Sequence, residues 1–201
     1  MIIVKHRQNK LKNIKKLNFL YGAEIDIRSN SKTLITQHDP LKNGVTLDVW
    51  LQNYKHNYLI ANIKEEGIET KVISLLKKYK IKNYFLLDVT IPMINKLNSI
   101  KIYNIALRIS KFESLNNIKM FNQQNKWIWI DTFNKKIPIN YTQIMKLKKM
   151  RFKLCLVSPE LIYNKKSSIS SFYKKNKRII NMMDMICTKF PEYWRGGKLN
   201  L

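Results

Sequence analysis

Ala23-Glu24-Ile25-Asp26-Ile27 is a short apolar, β-branched run interrupted by two acids. A strand turns successive side chains to opposite faces, so Glu24 and Asp26, two apart, share one face. Two carboxylates on one inward face repel unless something positive lies between them. A hard divalent cation with oxygen ligands, Mg²⁺ or Ca²⁺, meets that need.

Outward from this run the same grammar repeats. Apolar runs occur at Ile2 to Val4, Tyr58 to Ile63, Tyr84 to Val89, Ile102 to Ile109, Trp127 to Ile130, Phe152 to Val157 and Met183 to Cys187, with a small extra strand at Thr33 to Thr36. Between runs, apolar residues recur at helical spacing: Leu11, Ile14, Leu17 and Tyr21, then Val72, Leu75, Leu76 and Tyr79. Asn140-Tyr141-Thr142 ahead of Ile144, Met145 and Leu147 reads as a further capped helix. Continuous apolar strands alternating with amphipathic helices predict a parallel sheet covered by helices. Eight such strands predict an α/β fold, a compact (β/α)8 TIM-type barrel. At 201 residues its connections must be trimmed relative to the usual length of about 250. None of Gly22, Gly44, Gly67, Gly196 and Gly197 sits in a GxGxxG or P-loop pattern, which disfavours an open nucleotide-binding sheet. One domain over residues 1–201 is expected, with a tail fraying from about Trp194.

The chain carries 38 Lys and Arg against 13 Asp and Glu, a formal charge of +25. Such a field attracts phosphate-bearing partners. Only six of the cations are Arg, the residue that reads bases by bidentate contact, and the chain is rich in Lys, Asn, Ile and Tyr. AT-rich coding accounts for that mixture without a selected partner, so any nucleic-acid binding is expected to be weak and non-specific. No apolar run reaches the length of about 18 residues that a membrane span needs, and no leader pattern follows Met1, so a cytoplasmic location is expected. Cys155 and Cys187 lie in apolar strand-like stretches without metal-ligand spacing, as buried reduced thiols would.

In a parallel barrel, reactive groups sit where strands end. The first run ends in His6-Arg7, the segment after the second in His38-Asp39-Pro40, and the third in Asn62-Ile63-Lys64. These supply two histidines for proton transfer, whose ordinary pKa lies near neutrality, and Arg7 and Lys64 to hold an anion. His56, in a polar stretch, receives no role.

This constellation resembles the glycerophosphodiester phosphodiesterases of the phospholipase-C-like barrel group. The resemblance rests on His6-Arg7-Gln8-Asn9, Gly22-Ala23-Glu24-Ile25-Asp26, Gln37-His38-Asp39 and Asn62-Ile63-Lys64, in order and at fitting spacing. Weaker marks follow in Asp88, Arg108 with Glu113, Asp131, Ser158-Pro159-Glu160 and Thr188. Three positions depart from the pattern: Gln8 replaces a glycine, Lys189 an acid, and Asn62 the third acidic metal ligand.

The resemblance implies a metal-dependent hydrolase of a glycerophosphodiester-like or sugar-linked phosphodiester, acting through attack by a hydroxyl of the substrate. It makes His6 and His38 acid and base, and it has Glu24, Asp26 and Asn62 hold one divalent cation while Arg7 and Lys64 bind the phosphoryl group. An amide oxygen still ligates Mg²⁺ or Ca²⁺ but brings no charge, and Asp88 or Asp131 is a candidate to compensate. The competing reading is a catalytically decayed barrel that binds phosphate-bearing ligands or RNA through its basic surface.

Overall fold

The computed structural model describes residues 1–121, 124–163 and 165–195. In chain order the elements are β1 (Ile2–Lys5), α1 (Leu11–Lys16), β2 (Gly22–Asn30), β3 (Thr33–Thr36), β4 (Val45–Thr46), α2 (Leu47–Gln52), β5 (Leu59–Ile63), α3 (Glu69–Lys78), β6 (Tyr84–Leu87) and α4 (Ile91–Ser99). There follow β7 (Ala106–Ile109), α5 (Leu115–Lys119), β8 (Trp127–Ile130), α6 (Tyr141–Lys149), β9 (Lys153–Val157), α7 (Glu160–Tyr163), α8 (Ser168–Ile180), β10 (Met185–Thr188) and α9 (Pro191–Trp194). Each of the eight apolar runs contains a strand, and the extra strand stands at Thr33–Thr36 as expected.

Two compact units divide the chain: Lys5–Ile102, and Met1–Val4 with the chain from Tyr103 onward. In the first unit the strand order is β4-β3-β2-β5-β6. β2, β5 and β6 are parallel, in a register that sets Asp26 beside Asn62 and Asn62 beside Leu87. β2 runs on past Ile27 to Asn30 and pairs antiparallel with β3, which pairs in turn with β4. Every residue of β5 is buried, which is why its sequence reads as an unbroken apolar run around Asn62. Val72 and Leu76 of α3 and Ile94 and Leu97 of α4 are buried along one stripe each.

The helix starts follow capping chemistry. Thr46 accepts from the backbone N–H of Val49 and Thr90 from that of Met93, and Pro92 sits in the first turn of α4. Helix α1 stops at Lys16, short of the Tyr21 that its spacing suggested. Leu17 is extended, and the Asn18 side chain accepts from the N–H of Leu20, offering the backbone a turn in place of another helical bond.

In the second unit the order is β1-β10-β9-β8-β7, with β7 to β10 parallel. Asn140 and Gln143 close the expected capping box at the start of α6. Cys155 and Cys187 are free and buried on adjacent strands. Buried Glu160 accepts from the Thr188 hydroxyl at 2.6 Å, the Lys189 N–H at 3.0 Å and the Ser158 hydroxyl, tying together the segments that leave β9 and β10. Trp194, where fraying was expected to begin, is buried and donates to the Ser158 oxygen at 3.2 Å. Gly196 to Leu201 lie outside the described residues.

Candidate active site

All seven residues singled out in the sequence belong to the first unit, Lys5–Ile102. Glu24 and Asp26 are 0% and 1% exposed on β2. Asn62, on the neighbouring strand, donates from Nδ2 to Glu24 Oε1 at 3.1 Å, while its own Oδ1 is buried with no hydrogen-bond partner. Burial and the adjacent Asp26 charge push the Glu24 carboxyl up to about 8; the Arg7 N–H, the Asn62 amide and the Lys64 charge offset only part of that.

The segment leaving β1 wraps these acids. Arg7 has φ of 55°, a left-handed conformation that costs of order 1–3 kcal/mol for a residue with a side chain. That turn aims the Arg7 N–H at Glu24 Oε2, 2.6 Å away, and the Arg7 Nε approaches Asp26 Oδ2 at 3.5 Å. His6 Nε2 lies 3.8 Å from Glu24 Oε2. Asn9 grips Asp26 twice, donating from Nδ2 to Oδ2 and accepting the Asp26 backbone N–H at Oδ1, both at 2.9 Å. The Trp50 indole donates to the Gln8 carbonyl at 2.8 Å and the Thr36 hydroxyl to the Asn9 carbonyl at 2.8 Å.

Lys64, at the end of β5, stands 3.6 Å from Asp26 and 2.9 Å from Asp88. Asp88 is therefore engaged in holding the lysine. Asp131, in the second unit, is bonded to Arg108 at 2.5 Å. Among the described residues no group of three or more His, Cys, Asp and Glu is placed to hold a metal, so neither acid completes a third carboxylate here.

His38 is 40% exposed and bonded through Nδ1 to Asp39 at 2.8 Å. Hydrogen bonds from His38 and Lys42 hold the Asp39 carboxyl down at about 2, so it is an anion at any working pH. His38 and Arg7 line one cavity of about 690 Å³. The contacts thus join His6, Arg7, Glu24, Asp26, Asn62 and Lys64 in one chain, and His38 shares a cavity with Arg7 of that group.

No protein-family model matches the sequence, and no curated protein matches it. Solved structures do. A glycerophosphodiester phosphodiesterase from Thermotoga maritima superposes with a TM-score of 0.74 at 15% identity, covering 96% of both chains. An Oleispira antarctica phosphodiesterase, solved with the product sn-glycerol-3-phosphate, gives 0.68 at 12% identity over 96% of this chain and 94% of that one. A glycerophosphodiester phosphodiesterase from Agrobacterium tumefaciens gives 0.66 at 13%, over 96% and 97%. This chain has their fold. The expected (β/α)8 barrel class stands on that likeness and on the alternation of strands and helices in both units.

Sequence reasoning passed over two residues of the barrel's first unit. Arg28 donates from Nε to the His38 carbonyl at 2.9 Å and from a terminal nitrogen to the Lys64 carbonyl at 3.0 Å. It ties the segment bearing one candidate histidine to the segment bearing the candidate phosphate ligand. His56, read as lying in a polar stretch, is buried between the rings of Phe19 and Tyr54 and bonded through Nε2 to the Leu17 carbonyl at 3.1 Å. Burial lowers its pKa. Its place beneath aromatic rings gives it a packing role.

Proposed function

We propose that this chain is a metal-dependent phosphodiester hydrolase of the glycerophosphodiester phosphodiesterase type, one catalytic domain over residues 1–201. The observation that carries the reading is the buried Glu24–Asp26 pair with the unpartnered Asn62 oxygen beside it, contacted by His6, Arg7 and Lys64. The fold shared with the solved phosphodiesterases supports it.

The donor set fits a hard divalent cation. It offers only oxygens, a buried amide oxygen lacks a partner, and burial beside Asp26 pushes the Glu24 carboxyl up, a penalty that a nearby cation would offset. Glu24, Asp26 and Asn62 would hold one Mg²⁺ or Ca²⁺, with Asn62 supplying a neutral ligand in place of an acid. Such an ion, when bound, would supply positive charge to stabilise the developing phosphoryl charge and to acidify the attacking hydroxyl.

The protein's own groups account for the remaining chemistry. No Ser or Cys stands among the site residues, so the nucleophile is a hydroxyl of the substrate or water. A hydroxyl on the carbon next to the ester attacks phosphorus, its proton passing to one of His6 and His38. The bond to the departing alcohol breaks, and the other histidine gives that oxygen a proton, leaving a cyclic phosphate. Asp39 accepts a hydrogen bond from His38 Nδ1 and leaves Nε2 as its working nitrogen. Arg7 and Lys64 hold the phosphoryl charge.

Among the described residues no helix is long and apolar enough to cross a membrane, and the substrate we assign is a small phosphodiester. A cytoplasmic setting and weak, salt-sensitive nucleic-acid binding belong to the same reading. The test is turnover of a chromogenic diester with Mg²⁺ or Ca²⁺ and with chelator, for the native protein and His6→Ala. Metal-dependent turnover that the variant lacks supports the enzyme. Absence of turnover in both favours the phosphate-binding barrel.

A further inference from the structure

The cavity that Arg7 and His38 share is lined by residues leading into α1 and along the β3–β4 hairpin, and apart from Gly44 and Val45 these carry polar or charged side chains. Its walls are tied down. The Thr36 hydroxyl donates to the carbonyl of Asn9 at 2.8 Å and lies 3.3 Å from that of Val45, and Gln37 Nε2 donates to the Asn43 carbonyl at 2.9 Å. Gly44 closes the hairpin wall: a Cβ there would lie 2.6 Å from the Thr36 carbonyl oxygen. At about 690 Å³ the space is within the range of about 300–1,000 Å³ for small-molecule sites, and larger than a glycerol unit requires.

Its charge is one-sided. Lys10 and Lys12 line it beside Arg7, and neither has an ion-pair partner among the described residues. The acid on the wall, Asp39, is already matched by Lys42 at 2.8 Å and bonded to His38, so it does not offset them. Val45 is the apolar side chain among the lining residues.

Resting on the phosphodiesterase reading, we infer that this cavity is a subsite for the departing alcohol, and that this alcohol is a polyhydroxy group bearing a further phosphate. Lys10 and Lys12 bind the second phosphate while Asn13, Gln37 and Asn43 face the hydroxyls. The phosphate that reacts stays with Arg7 and Lys64. Whether the second phosphate belongs to a free head group or to the next unit of a polyol-phosphate chain, the recognition chemistry is the same.

The test compares glycerophosphoinositol with the same diester carrying one more phosphate on the ring. The native protein is expected to favour the phosphorylated diester in kcat/KM by about tenfold at low salt, through charge-assisted contacts. The preference should shrink as salt rises. Lys10→Ala/Lys12→Ala should remove the preference and leave kcat/KM for the unphosphorylated diester unchanged. Lys15→Ala/Lys16→Ala, equal in charge but off the cavity, should keep the preference. Equal handling of the two diesters, or equal loss in both double variants, overturns the subsite. A longer phosphate-linked polyol chain, run alongside, distinguishes a head group from a chain unit by whether it outcompetes the small diester.

Binding separates failure of this inference from failure of the enzyme reading. If neither diester turns over, calorimetry with inositol monophosphate and inositol bisphosphate still decides. Tighter bisphosphate binding that only Lys10→Ala/Lys12→Ala abolishes supports the subsite. Equal affinities refute it.

Discussion

Asn62 donates to Glu24 Oε1 at 3.1 Å and keeps its own Oδ1 buried without a hydrogen-bond partner. Without a cation this is an economical arrangement, because an amide bridges where a third carboxylate would add repulsion to a pair already short of positive charge. Asn62→Asp reverses the balance. It should tighten Mg²⁺ binding on the order of tenfold, since ligand charge tunes affinity in such sites, and lower the melting temperature of the metal-free protein. Calorimetric titration and thermal unfolding in chelator measure the two effects, and unchanged Mg²⁺ affinity would mean Asn62 is no ligand.

The Glu24 carboxyl supplies a pH signature. Its pKa rises from 4.5 in the unfolded chain to about 8 in the fold, so the folded state holds a proton that the unfolded state gives up. Its contribution to stability is fully present below about 4.5 and is lost as pH rises through about 8. Metal-free protein should therefore melt lower at pH 9 than at pH 6 by more than Glu24→Gln does. Mg²⁺ requires the ionised carboxylate, so its stabilising effect should grow over the same interval.

Arg28 touches no reacting group in the proposed scheme, yet it fixes the carbonyls of both His38 and Lys64. Arg28→Met should lower kcat on the order of 10²-fold with a smaller change in KM, as loss of positioning does. Arg28→Lys should behave like Arg28→Met, because an ammonium lacks the planar fork that reaches two carbonyls. A change in KM alone would place Arg28 in binding.

Attack by a substrate hydroxyl exploits an effective concentration that reaches about 10⁵ M or more when well oriented. A substrate analogue lacking the hydroxyl next to the ester should then react slower by several orders of magnitude. A cyclic phosphate should build up before the monoester. Equal rates for the two compounds would assign the attack to water.

The strands were legible because their runs are apolar on both faces, as at Leu59–Ile63, and the acids stood out because Glu24 and Asp26 break such a run. The site's supports were not. Arg28 acts on two main-chain carbonyls, which no residue pattern marks, and Asp88 is drawn from metal compensation to Lys64 by a 2.9 Å contact between strand ends. β4 is two residues long and exists by pairing with β3, so nothing in Val45-Thr46 alone announces it. The burial of His56 was not legible, because its neighbours in sequence are polar while its neighbours in space are Phe19 and Tyr54.

Phosphorus NMR of glycerophosphoglycerol incubated with the protein and Mg²⁺ tests the central claim most directly. The diester resonance should give way to a cyclic phosphate or to glycerol phosphate with the native protein. It should persist with His6→Gln and with His38→Gln. A diester that survives the native protein across the substrates and both cations, or that vanishes equally fast with the histidine variants, would contradict the account.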